Sequence, residues 1–177
     1  MRTLPSVGLA VSSALCLSVG VNAFAFRQTA RPSASGATTV DKIMTKHARG
    51  TFDVKLTPQP QDDKSADSAL GRFLIEKQFH GDLEGTSRGQ MLGVNTPVES
   101  SKGYVAIEQV TATLDGRRGT FALQHSGTMT RGALQLSVTV VPDSGTGELA
   151  GITGKMEIKI EGGKHYYDFE YTLAEAR

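Results

Sequence analysis

Lys155-Met156-Glu157-Ile158-Lys159-Ile160-Glu161-Gly162-Gly163-Lys164-His165-Tyr166-Tyr167-Asp168-Phe169-Glu170 decides the fold class of this chain. Met156, Ile158 and Ile160 alternate with Lys155, Glu157, Lys159 and Glu161. A period of two puts the apolar side chains on one face of a β-strand and the charged ones on a solvated face. Gly162-Gly163 makes the turn into a second strand. With a two-residue turn, Ile158 faces Tyr167 and Met156 faces Phe169, so the apolar faces of the hairpin agree. Lys155 then faces Glu170 favourably, whereas Glu157 faces Asp168, a like-charge pair that counts against this register.

The same period runs backwards through the chain. Phe52, Val54 and Leu56 alternate with Thr51, Asp53 and Lys55, and Pro58-Gln59-Pro60 is expected to end that strand because proline lacks a ladder donor. A polar loop over Gln61 to Ser68 precedes a strand near Gly71 to Gly81, in which Phe73, Ile75 and Phe79 oppose Arg72, Glu76 and His80. A glycine-rich strand crosses Gly85, Gly89 and Gly93. Tyr104 to Leu114 enters a hairpin at Asp115-Gly116 and emerges as Phe121, Leu123 and His125. Leu134, Leu136, Val138 and Val140 make the next strand, closed by Pro142-Asp143. About eight antiparallel strands joined by short turns, with no sustained helical period, predict an all-β domain over 48–173. A closed barrel is preferred, since closure removes sheet edges and glycine permits tight coiling; a two-sheet β-sandwich is the alternative.

The N-terminal residues read differently. Leu4 to Ala25 carries no charged side chain, follows Arg2, and ends in Ala23-Phe24-Ala25, the layout of a signal peptide over 1–25 cut before Phe26. Pro5, several serines and two glycines make this stretch a poor permanent membrane helix, so no stable anchor is expected after cleavage. Residues 26–47 read as a disordered tether, with a turn of helix expected within Val40 to His47. Residues 174–177 form a C-terminal tail. The expected location is secreted or periplasmic.

Composition bounds the chemistry. The 177 residues contain 19 Lys and Arg against 18 Asp and Glu; without Arg2 the balance is 18 against 18. A domain near neutrality offers no basic face for nucleic acid. Cys16, the only cysteine, lies in the leader, so the domain has no thiol nucleophile and no zinc–thiolate site. His47, His80, His125 and His165 are scattered without metal-ligand spacing, and neither a metal nor a cofactor is expected. Gly145 to Gly154 lacks the Lys-Ser/Thr ending of a phosphate loop and reads as a structural turn.

Phe79-His80-Gly81-Asp82-Leu83-Glu84-Gly85-Thr86-Ser87, Gly103-Tyr104-Val105-Ala106-Ile107-Glu108, Leu123-Gln124-His125-Ser126-Gly127-Thr128-Met129 and Val141-Pro142-Asp143-Ser144-Gly145-Thr146-Gly147-Glu148-Leu149-Ala150-Gly151-Ile152-Thr153-Gly154 occur in this order. Together they resemble the bacterial family described as domain of unknown function 3224. That resemblance implies a barrel like allene oxide cyclase, a plant enzyme that closes an unsaturated epoxide without a cofactor. Fold likeness of this kind does not transfer function, and the family brings no established activity with it. The export signal and tether depart from the family's short, leaderless form.

Glu108 is the residue with chemistry to offer, because Ala106 and Val110 share its strand face and burial would raise its pKa. A two-residue turn at Asp115-Gly116 pairs Glu108 with Leu123 and Ala106 with His125, which sets His125 diagonal to Glu108 on one face, with Tyr104 beside them. Tyr104, Glu108 and His125 are therefore the expected ligand-binding residues inside the barrel, and Glu108 and His125 the candidate acid and base. Three functions are compatible with this pattern: a barrel that binds an apolar small molecule, a cofactor-free isomerase or cyclase, and a structural or interaction domain whose barrel is filled. A homo-oligomer is left open.

Overall fold

A computed structural model describes residues 44–60 and 70–173. They form eight strands: β1 Thr45–Gln59, β2 Leu70–Gly81, β3 Leu83–Asn95, β4 Lys102–Leu114, β5 Arg117–Thr130, β6 Ala133–Val140, β7 Thr153–Glu161 and β8 Lys164–Thr172. Each strand pairs antiparallel with the next and β8 returns to β1, so the sheet closes in the order β1-β2-β3-β4-β5-β6-β7-β8. The sandwich alternative is thereby excluded. The leader, most of the tether, the polar loop after Gln61 and the C-terminal tail fall outside the described residues.

The β7–β8 hairpin has the register its turn demands, with Met156 opposite Phe169, Ile158 opposite Tyr167 and Glu157 opposite Asp168. Gly162 and Gly163 have φ of 55° and 79°, the positive values a two-residue turn needs. The like-charge pair is tolerated because Asp168 is already engaged from its other neighbour, β1. Arg49 Nε donates to Asp168 Oδ2 at 2.7 Å, and His47 Nδ1 lies 2.6 Å from Oδ1.

One expectation about β1 needs correction. Thr45, Lys46 and His47 are strand, not a helical turn, since they pair with Thr172, Tyr171 and Glu170 of β8; Val40 to Ile43 lie outside the described residues. β1 ends at Gln59, within Pro58-Gln59-Pro60 as expected, and Pro58 itself stays in the strand. Beyond Phe52, β1 is laddered to β2 alone, and a strand paired on one side tolerates a residue without an N–H.

The two halves of the barrel interior differ. Towards the Asp115-Gly116 turn the interior is solid: Phe79, Leu83, Phe121, Leu123, Leu149 and Phe169 are wholly buried. Phe169 stacks on Phe121 at 5.7 Å and on Tyr171 at 5.3 Å between ring centroids. The segment between β6 and β7 plugs this end through a short 3-10 turn, Gly147–Leu149, which inserts Leu149. It is pinned to β5 by Thr146 N–H donating to Thr120 O at 2.8 Å and Ala122 N–H donating to Ser144 Oγ at 3.0 Å. The glycine-rich segment thus acts as a structural turn. Towards the opposite end, β6 and β7 splay after one paired position, Thr139 with Lys155, and the interior is open.

Candidate functional site

The open half is a cavity of about 660 Å³. Phe52, Val54, Phe73, Ile75, Met91 and Ile158 line its wall, while Leu56, Leu70, Leu134 and Ile160 stand half-exposed at its mouth. Lys77, Tyr104, His125 and His165 bring polar groups to the same lining, as does the exposed Lys102.

Glu108 anchors the polar cluster between the solid half and the open half. Its carboxylate is fully buried and accepts three hydrogen bonds. Lys77 Nζ donates to Oε1 at 2.7 Å, Ser87 Oγ donates to Oε2 at 2.9 Å, and His125 Nε2 lies 2.9 Å from Oε1. The Lys77 and His125 side chains are 6% and 4% exposed, so this is a buried triad of charges and imidazole, not a surface ion pair. Lys77 Nζ also lies 4.8 Å from the Phe52 ring centroid and 5.8 Å from that of Phe79, where the ring faces stabilise a cation.

The strands deliver these groups by register alone. Gly89 pairs with Glu108 across β3–β4, and a side chain at Gly89 would sit 2.6 Å from Glu108 Cβ. Glycine there lets the two strands close up over the carboxylate. Ala106 pairs with His125 and Glu108 with Leu123, as the two-residue turn requires. Tyr104 pairs with Gly127, and its ring occupies the space a Gly127 side chain would need.

The expected trio of Tyr104, Glu108 and His125 therefore meets on the inner wall, but two members of the cluster were missed. Lys77 lies on the Phe73, Ile75, Phe79 face, a cation in phase with an apolar stripe. That phase was the available signal. Ser87 carried none, since a serine among glycines reads as turn or strand filler.

The ionisation of Glu108 also differs from the sequence expectation. Burial pushes its pKa up, but the His125 hydrogen bond and the Lys77 charge outweigh it and hold the carboxyl at about 2, against an ordinary value of 4.5. Tyr104 moves the other way: burial, and then the Glu108 charge, push its phenol up. At neutral pH Glu108 is thus a carboxylate and Tyr104 a neutral phenol. Among the described residues, no group of three or more His, Cys, Asp or Glu is disposed to hold a metal ion.

The depressed Glu108 pKa has a consequence for stability. The folded state binds this proton less readily than the unfolded chain, so the contribution of Glu108 is present above about pH 4.5 and is lost as the pH falls towards about 2. The unfolding free energy is expected to fall over that window with a component of about 3 kcal/mol from this one group. Urea titrations of the wild-type protein and Glu108→Gln at a series of acidic pH values check it. The variant should have the shallower acid dependence; parallel curves would assign the acid sensitivity to other carboxylates.

The family model described as "Protein of unknown function (DUF3224)" matches residues 48–171. The chain belongs to the DUF3224 family. A crystal structure of a DUF3224 protein of unknown function from Shewanella oneidensis MR-1 is similar, with a TM-score of 0.70 and 47% sequence identity, over 75% of this chain and 100% of that chain. Among curated proteins, none matches. The DUF3224 match spans β1 from Ala48 to β8, and so takes in all four residues of the buried cluster.

Proposed function

We propose that this DUF3224 protein is an exported carrier or sensor that binds an apolar small molecule in the open half of its barrel. The observation that carries this reading is the asymmetry of the interior. One half is packed to completion by phenylalanine and leucine, whereas the other keeps about 660 Å³ free behind an apolar wall. Protein interiors are close-packed by default, and that volume lies within the range of small-molecule sites. The splayed β6–β7 seam and the exposed Leu134 and Ile160 suit entry of an apolar molecule from that end.

The isomerase or cyclase reading is less well supported. A carboxyl held at about 2 is deprotonated at neutral pH and is a weak base, which matches neither role of an acid–base catalyst. A filled structural barrel is disfavoured by the cavity itself.

Diphenylhexatriene, a hydrocarbon whose fluorescence rises in apolar surroundings, tests binding. Saturable uptake at one site per chain is expected, and Ile75→Trp, which fills the cavity, should abolish it. Absence of saturable uptake by the wild-type protein would reject the binding reading. Export rests on Leu4 to Ala25 and the small residues ending at Ala25. Native protein recovered outside the cytoplasm should begin at Phe26; a chain retaining Met1 would refute cleavage.

A further inference from the structure

We infer that the cavity selects an uncharged ligand, an apolar body ending in one oxygen acceptor such as a ketone or ester carbonyl, over the carboxylate of the same skeleton. This rests on the binding reading above and specifies its ligand. Lys77 and His125 line the cavity, whereas Glu108 and Ser87 lie behind them. Seen from the cavity, the Lys77 ammonium is therefore a donor backed by a negative charge.

An ammonium has three N–H donors, and among the described residues Glu108 takes one of them. The remaining donors suit the negative end of a carbonyl dipole. A ligand carboxylate on the same ammonium would instead meet a charge that Glu108 has already neutralised. It would also lie within one ammonium's span of a buried like charge, with little water to screen the repulsion. His125 Nε2 is committed to Glu108 Oε1 at 2.9 Å, which leaves only Nδ1 of that ring for a ligand. Tyr104 adds a neutral phenol to the same cavity. The other cation, Lys102, stands exposed at the mouth, where solvent screens its attraction for an anionic head.

Displacement of diphenylhexatriene by methyl nonyl ketone and by decanoate, in neutral buffer at moderate salt, tests the selection. The ketone is expected to bind at least about tenfold more tightly than decanoate. The variant Lys77→Met/Glu108→Gln removes both charges together and leaves the volume nearly unchanged. It should lose about tenfold in ketone affinity, and with it the preference for ketone over decanoate. Decanoate binding as tightly as the ketone, whether inward at Lys77 or reversed with its head at Lys102, overturns the inference. Ketone affinity that survives the double substitution overturns it too. Those failures leave probe uptake intact, whereas failure of the binding reading itself appears as no probe uptake. If the double variant does not fold, the ketone-to-decanoate ratio of the wild-type protein alone decides.

Discussion

Glu108→Ala is expected to lower the unfolding free energy by about 3–5 kcal/mol, since it strands the Lys77 ammonium, whose ion-pair partner among the described residues is Glu108. Three groups lose their acceptor at once: Lys77 Nζ, His125 Nε2 and Ser87 Oγ. The ammonium dominates, because moving an uncompensated charge out of water costs more than leaving a hydroxyl unbonded. Lys77 can escape only by losing its proton or by dragging β2 out of register with β3. Lys77→Met/Glu108→Gln should recover most of the loss, because a buried pair replaced as a pair leaves no orphan charge while Gln still offers an oxygen to His125 or Ser87. Urea unfolding of Lys77→Met, Glu108→Gln and the double variant gives the coupling directly. Additive losses would mean that the pair is solvated and that the polar cluster is not a charge site at all.

Phe169→Ala is expected to cost about 3–5 kcal/mol, whereas Phe73→Ala should cost markedly less. Phe169 is wholly buried and stacked between Phe121 and Tyr171, so truncation leaves a cavity that the barrel wall cannot collapse to fill. Phe73 has one side on the open cavity and is only partly buried, so its removal enlarges a space that already exists. Equal losses at the two positions would indicate that the open half is packed in solution, and would count against both the cavity and the ligand. The comparison thus measures the asymmetry from which the binding proposal starts.

The sheet itself was legible in the sequence because β-structure writes its pattern locally. Alternation in Lys155 to Glu161 assigned a strand, Gly162-Gly163 assigned the turn, and the turn length then fixed which residues face each other. The same logic at Asp115-Gly116 paired Ala106 with His125 and brought Glu108 to the inner face. Pro58-Gln59-Pro60 marked the end of β1, at Gln59, while Pro58 itself is tolerated in the strand because β1 is paired there to β2 alone.

What the sequence by itself determined, then, is the strands, their turns and the inward direction of Tyr104, Glu108 and His125. Lys77 and Ser87 were decided by tertiary structure, because they come from β2 and β3 and reach Glu108 across strands, through barrel curvature rather than through any turn between them. The ionisation of Glu108 was decided there as well. Burial alone predicts a raised pKa, and the placement of His125 at 2.9 Å together with the Lys77 ammonium at 2.7 Å reverses the sign. The open half belongs to the same class of fact. Alternation says that a side chain points inward, but whether inward-pointing side chains meet in the middle depends on where strands splay, as β6 and β7 do beyond Thr139 and Lys155.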